Sequence, residues 1–208
     1  MRRRPTAGAG GPRARRVGLL GGSFNPAHEG HRHISLLALK QLGLDEIWWL
    51  VSPQNPLKPA AGMAGFDARL ARARAVARHP RITVSDLERR LGCVYTAATL
   101  RALTIRYPRI LFVWIMGADN LAQIPRWKDW RAIFRLVPVA VFDRPSYSYT
   151  ALASRAARRF ARYRLDPRRA GALARLAPPA WVFVRGRLHA ASATEIRAGR
   201  SAGGHASL

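Results

Sequence analysis

The chain has 208 residues, 49% of them hydrophobic, enough for one domain with a sizeable core and too many for a mostly disordered or collagen-like chain. Its short apolar runs exclude a membrane-spanning helix, and its single cysteine, Cys93, excludes an internal disulfide framework and a cysteine zinc cage. The 36 basic residues outnumber 11 acids for a net charge of +25, and all but Lys40, Lys58 and Lys128 are arginine; the charge suits an anionic partner, but its spread along the whole chain also reads as a solvated cationic surface.

Residues 1–16, MRRRPTAGAGGPRARR, hold six arginines and no acid, which predicts a disordered basic tail without the apolar stretch of a secretory signal. Val17 to Leu20 then reads as a strand running into Gly21-Gly22. Residues 28–42 read as a helix stopped at Gly43. Glu46 to Ser52 is an unalternating apolar strand, as in a parallel sheet covered on both faces. Residues 53–65 form a loop, and Phe66 to His79 a helix with a row of arginines for its solvent face. Next come a strand at Arg81 to Ser85, a helix at Tyr95 to Arg106 and a buried strand at Arg109 to Met116. Two short helices follow, around Asn120 and Trp127. A strand at Val137 to Phe142, a helix at Tyr149 to Tyr163, a strand at Trp181 to Val184 and a short helix at Ser192 to Arg200 complete the chain. This alternation predicts an α/β fold, a doubly wound, mostly parallel sheet with helices on both faces and ligands at the carboxyl ends of the strands.

The loop after the first strand is GGSFNPAHEGH, Gly21 to His31. Its glycines let backbone approach a ligand. His28 and His31, three apart, share one side of the first helical turn. A helix start favours phosphate, and two imidazoles there can donate hydrogen bonds to its oxygens. A bare H-x-x-H is more often a capping pair; here the preceding strand and double glycine favour the phosphate site.

This loop resembles the (H/T)xGH signature of the nucleotidylyltransferase superfamily, and ASATEIR, Ala191 to Arg197, resembles its second signature, ISxTxxR. Between them, Ser85-Asp86-Leu87-Glu88 with Tyr95 to Leu100, MGADNLAQIPRWKDW from Met116 to Trp130, and Phe142-Asp143-Arg144-Pro145 resemble segments of the nicotinate mononucleotide adenylyltransferases. The resemblance covers about residues 17–200 and implies a Rossmann-like single domain over 17–208. It departs at Ala98, where the family often has Asp, at Leu57, where a His precedes the lysine, and at Ala191, where Ile is usual. The chain is also short and Gly-rich after Arg200, which suggests an abbreviated terminal helix.

The resemblance implies transfer of AMP from ATP to nicotinate mononucleotide, with Mg2+ carried on the ATP phosphates, in the cytoplasm. His28 and His31 would be catalytic. Gly21, Gly22, Ser23, Phe24, Lys58, Gly117, Asp119, Ser192, Thr194 and Arg197 would bind ATP. Thr96, Trp127 and Lys128 would bind the mononucleotide, Trp127 by stacking and the other two through backbone N–H groups. Asp119 also reads as an N-cap before Asn120. No metal ligand, membrane or specific nucleic-acid partner is expected, and an oligomer is left open. The competing readings are a phosphopantetheine adenylyltransferase-like enzyme, which His28 with Trp127 disfavours, and a basic nucleic-acid-binding protein, which leaves both phosphate signatures unexplained.

Overall fold

The computed structural model describes residues 13–53, 62–144 and 147–185. Seven parallel strands form one sheet: β1 (Arg15–Gly22), β2 (Glu46–Val51), β3 (Ile82–Ser85), β4 (Ile110–Gly117), β5 (Val139–Phe142), β6 (Arg164–Leu165) and β7 (Trp181–Val184). Their order is β3-β2-β1-β4-β5-β7-β6. The chain moves outward from β1 through β2 to β3, then crosses back to lay β4 on the other side of β1. That reversal opens a crevice beyond the carboxyl ends of β1 and β4, where folds of this kind bind ligands.

The central strands are apolar without alternation because helices cover both faces. On one face, Leu20, Ile47, Trp49, Val113 and Ile115 pack with Ala38 and Leu39 of α1 (Glu29–Gln41) and its C-cap Leu42, Leu70 and Ala73 of α2 (Phe66–Ala77), and Ala170 and Leu173 of a 3-10 stretch at Pro167–Arg175. The opposite face joins Val17, Leu19, Phe112, Trp114, Val141 and Phe183 to α3 (Leu87–Arg90), α4 (Thr96–Arg106), α5 (Ala118–Gln123), α6 (Trp130–Leu136), α7 (Ser148–Leu152) and α8 (Arg155–Arg159). No helix of the described residues is long and apolar enough to cross a membrane.

Three expectations are corrected. β1 starts at Arg15, inside the stretch expected to be tail, because Arg15 pairs with Glu46 and the Arg16 guanidinium meets Asp45 at 2.7 Å. The single helix expected over 149–163 is broken into α7, α8 and a 3-10 turn at Ala161–Tyr163: the Ser154 hydroxyl accepts the Ala157 N–H and starts α8 afresh. The helix expected around Trp127 is a 3-10 turn, Ile124–Arg126, which Trp127 ends. The final helix expected at 192–200 lies outside the described residues.

Candidate functional site

β1 delivers the chain to the crevice, and α1 starts there. His28 is the N-cap of α1, buried and extended, and its Nδ1 accepts the Gly30 N–H at 3.1 Å. His31, at the third helical position, accepts the His28 N–H at its own Nδ1 at 3.3 Å. The two imidazoles therefore form a reciprocal capping box, a role normally filled by Ser or Thr with Glu. A ring nitrogen that accepts a hydrogen bond is unprotonated, so each neutral ring carries its proton on Nε2. The box thus sets both tautomers and makes each Nε2 a donor. Capping and phosphate binding are compatible uses of the same residues.

The rings lie 3.9 Å apart by centroid, and Phe24 supports His31 at 4.8 Å while stacking on Trp49 at 5.0 Å. The Trp49 indole N–H donates to the Ser35 hydroxyl, which donates to the His31 carbonyl, each at 2.8 Å. Phe24 has a φ of 47°, a left-handed conformation that an L residue adopts only under constraint from its surroundings.

The glycines divide in role. A Cβ on Gly21 would collide with the Trp114 ring, so packing alone requires a small residue where β1 passes this core tryptophan. Gly22 has only ordinary contact room beside Phe24. Across the crevice, a Cβ on Gly117 would strike the Asp119 carboxylate and crowd Arg144.

Asp119 does not cap α5. Gly117 holds the cap position, and Asp119 Oδ2 instead pairs with Arg144 at 3.0 Å. Asp119 Oδ1 is buried and has no hydrogen-bond partner among the described residues. As seated, the carboxylate is turned to Arg144, a residue that sequence reasoning did not place in the site.

The residues expected to bind the mononucleotide gather at a second edge. Tyr95 precedes α4 and provides no side-chain cap, leaving Thr96 at the bare head of the helix. The Lys128 ammonium lies over the Tyr95 ring at 4.7 Å, bringing Thr96 and the Trp127-Lys128 turn together. Trp127 is half-buried against the core edge, and its N–H donates to the Ile124 carbonyl at 2.9 Å. Trp130 is core, edge-on to Phe134 and Phe160, as expected. Burial, then the nearby Glu88, pushes the Cys93 thiol up, in keeping with no nucleophilic role. Lys58, Ser192, Thr194 and Arg197 lie outside the described residues. Among those described, no group of three or more His, Cys, Asp or Glu side chains could hold a metal ion.

Residues 19–199 match the cytidylyltransferase-like family. The chain is 57% identical over 182 residues to a Parvibaculum lavamentivorans protein named a probable nicotinate-nucleotide adenylyltransferase, covering 88% of this chain and 90% of that one. It is 53% identical to a Ruegeria pomeroyi protein of the same name, covering 88% and 85%. In fold it is similar to a Plasmodium falciparum nicotinic acid mononucleotide adenylyltransferase solved in complex with NaAD, with a TM-score of 0.66 at 15% identity over 88% of this chain and 83% of that one.

Proposed function

The chain belongs to the cytidylyltransferase-like family, among its nicotinate-nucleotide adenylyltransferases, and we infer that it moves AMP from ATP to nicotinate mononucleotide, giving deamido-NAD and pyrophosphate for NAD biosynthesis. The observation that carries the reading is the His28–His31 capping box at the β1–β4 crevice. Both rings stand at a helix start, where the helix dipole favours a triphosphate.

An oxygen of the mononucleotide 5′-phosphate attacks the α-phosphorus of ATP. The new P–O–P bridge forms as the bond from the α-phosphorus to the oxygen bridging it to the β-phosphate breaks, and pyrophosphate departs with that electron pair. The attacking oxygen is already anionic, so no general base is required. The chain's contribution is positioning and stabilisation of charge on the transferring and leaving groups. His31 and His28 are assigned to those phosphate oxygens, Ser23 and Phe24 to shaping the loop beside them, and Lys58, Ser192, Thr194 and Arg197 to phosphates by motif position. Gly117 and Asp119 are assigned to the nucleoside side of ATP, Asp119 once its pair with Arg144 opens. Mg2+ would ride on ATP, an oxygen-seeking cation held by phosphate oxygens and water, and would draw charge from the leaving pyrophosphate.

Trp127 is assigned to stacking on the pyridine ring. The backbone N–H groups of Thr96 and Lys128 suit its carboxylate. A cytoplasmic setting accords with substrates and a product of this kind. The test is release of pyrophosphate from ATP with nicotinate mononucleotide, with nicotinamide mononucleotide and with phosphopantetheine. Turnover with the first and little with the others is expected; no turnover with the first would overturn the reading.

A further inference from the structure

Arg69 stands apart from the other arginines of α2: it is 3% exposed. No carboxylate pairs with it among the described residues. Its guanidinium donates instead to four backbone carbonyls. Nε reaches Ala64 at 3.0 Å, Nη1 reaches Ser23 at 2.6 Å and Ser52 at 2.8 Å, and Nη2 reaches Pro53 at 2.8 Å. These acceptors belong to three segments: the loop after β1, the exit of β2 and the approach to α2. Only a planar fork of five N–H groups can span them together, since an ammonium offers three donors from one point.

The Ser23 carbonyl is the informative acceptor. Ser23 precedes Phe24, whose left-handed backbone turns its ring onto His31 and Trp49. Asn25 reinforces the same arrangement: its Nδ2 donates to the Gly62 carbonyl and its Oδ1 accepts the Ala64 N–H, both at 3.2 Å. The Ser52 N–H also donates to the Gly22 carbonyl at 2.9 Å, joining the exits of β1 and β2. Arg69 thus lies at the centre of the bonds that orient residues 22–25. It also places a buried positive charge, faced by carbonyl dipoles and by the Phe66 ring at 5.4 Å, directly behind them.

We propose that Arg69 is the positioning residue of the ATP-phosphate site: its fork fixes the Ser23–Phe24 turn, and through it the His31 ring, while its charge favours the triphosphate from behind the loop. The proposal rests on the ATP-site reading above. It singles out one half of the reaction, because the Thr96, Trp127 and Lys128 edge has no bond to Arg69 in the structure.

Arg69→Lys keeps the charge and loses the fork; Arg69→Met loses both. Steady-state kinetics of each variant, with circular dichroism to verify folding, separates the terms. Arg69→Lys is expected to fold, with KM for ATP raised about tenfold, kcat lowered on the order of 10- to 100-fold, and KM for nicotinate mononucleotide within about twofold of wild type. Arg69→Met is expected to lose more at the ATP step, and millimolar ethylguanidinium is expected to restore part of the activity of Arg69→Ala. Equal rises in both KM values, unchanged ATP kinetics in Arg69→Lys, or failure of Arg69→Lys to fold would overturn the proposal. His31→Ala separates it from its premise: normal turnover there defeats the site itself, whereas an inactive His31→Ala beside normal ATP kinetics in Arg69→Lys defeats only the role of Arg69.

Discussion

The Thr99 hydroxyl sits 2.9 Å from Glu88 Oε1 and 3.3 Å from the Tyr95 carbonyl, with Thr99 and Glu88 both buried. One hydroxyl proton cannot serve both acceptors at full strength. When Glu88 is protonated, its own O–H can be given to Thr99 Oγ, and Thr99 turns its proton to Tyr95. When Glu88 is ionised, Thr99 must turn to the carboxylate. The pair therefore ties α3 to the first turn of α4, the turn that carries Thr96.

Burial pushes the Glu88 carboxyl from 4.5 up to about 7, with the Thr99 bond pulling the other way. The folded chain thus holds this proton more tightly than the unfolded chain does. The stability linked to it is fully present below about pH 4.5 and is lost as pH rises through about 7. Glu88→Gln keeps the shape and removes the charge. Its Tm should change less than that of wild type between pH 5 and 8, and should exceed the wild-type Tm at pH 8 by several degrees. Thermal unfolding of both proteins across that range measures this; parallel curves would contradict it.

His31→Ala removes the proposed phosphate donor and one half of the capping box. Loss of a preorganised donor of this kind costs on the order of 100- to 1,000-fold in kcat. Loss of the cap costs about 1 kcal/mol of stability, too little to unfold a domain of this size. A folded variant with near-normal kcat would sink the assignment.

What was legible in the sequence follows from locality. EIWWLV and RILFVWIM read as doubly covered strands because each residue alternates between two helix-packed faces, and the order of strands and helices then implied the sheet. His28 and His31 were legible because strand, turn and helix start are contiguous. The packing demand on Gly21 was not legible, because its neighbour Trp114 is distant in sequence. Arg69 was hidden in FDARLARARAVA, a run that reads as a solvent-facing row; only its phase with the buried Leu70, Ala73 and Ala77 distinguishes it. The break before α8 did have a signal, Ser154 as N-cap, which the longer helical pattern obscured.

The start of β1 makes truncations unequal. Arg16 donates to Asp45 from its backbone N–H and its guanidinium, and holds that carboxyl down at about 2. The stability linked to Asp45 is present above about pH 3.8 and is lost as pH falls through about 2. Asp45 is more than a third exposed, so the solvent-screened pair contributes about 1 kcal/mol or less. Deleting residues 1–12 should leave Tm and kcat unchanged and reduce salt-dependent binding to polyanions. Deleting 1–16 should also lower Tm by several degrees, since it removes the Arg16 contacts and two strand residues. Equal Tm values for the two truncations would refute the role given to Arg15 and Arg16.

The proposed site for the mononucleotide assigns selectivity to the edge formed by Thr96, Trp127 and Lys128. A half-buried indole at the end of a 3-10 turn can offer one ring face while the other packs on the core. If that face stacks on the pyridine ring, Trp127→Ala should raise KM for the mononucleotide about 2- to 13-fold, matching the roughly 0.5–1.5 kcal/mol of an aromatic pair. KM for ATP should stay within about twofold. Trp127→Phe, which keeps an aromatic face, should recover most of the loss, whereas Trp127→Leu should not. The acid should be preferred to the amide in every variant, because a carboxylate accepts from two backbone N–H groups while a carboxamide turns its own NH2 toward one of them. Each buried donor left unpaired costs about 1–3 kcal/mol, so the wild-type preference in kcat/KM should be at least about fivefold. Measuring kcat/KM for both mononucleotides in the four proteins decides both points. Equal use of acid and amide by wild type would remove the backbone carboxylate site, and an unchanged mononucleotide KM in Trp127→Ala would remove the stack.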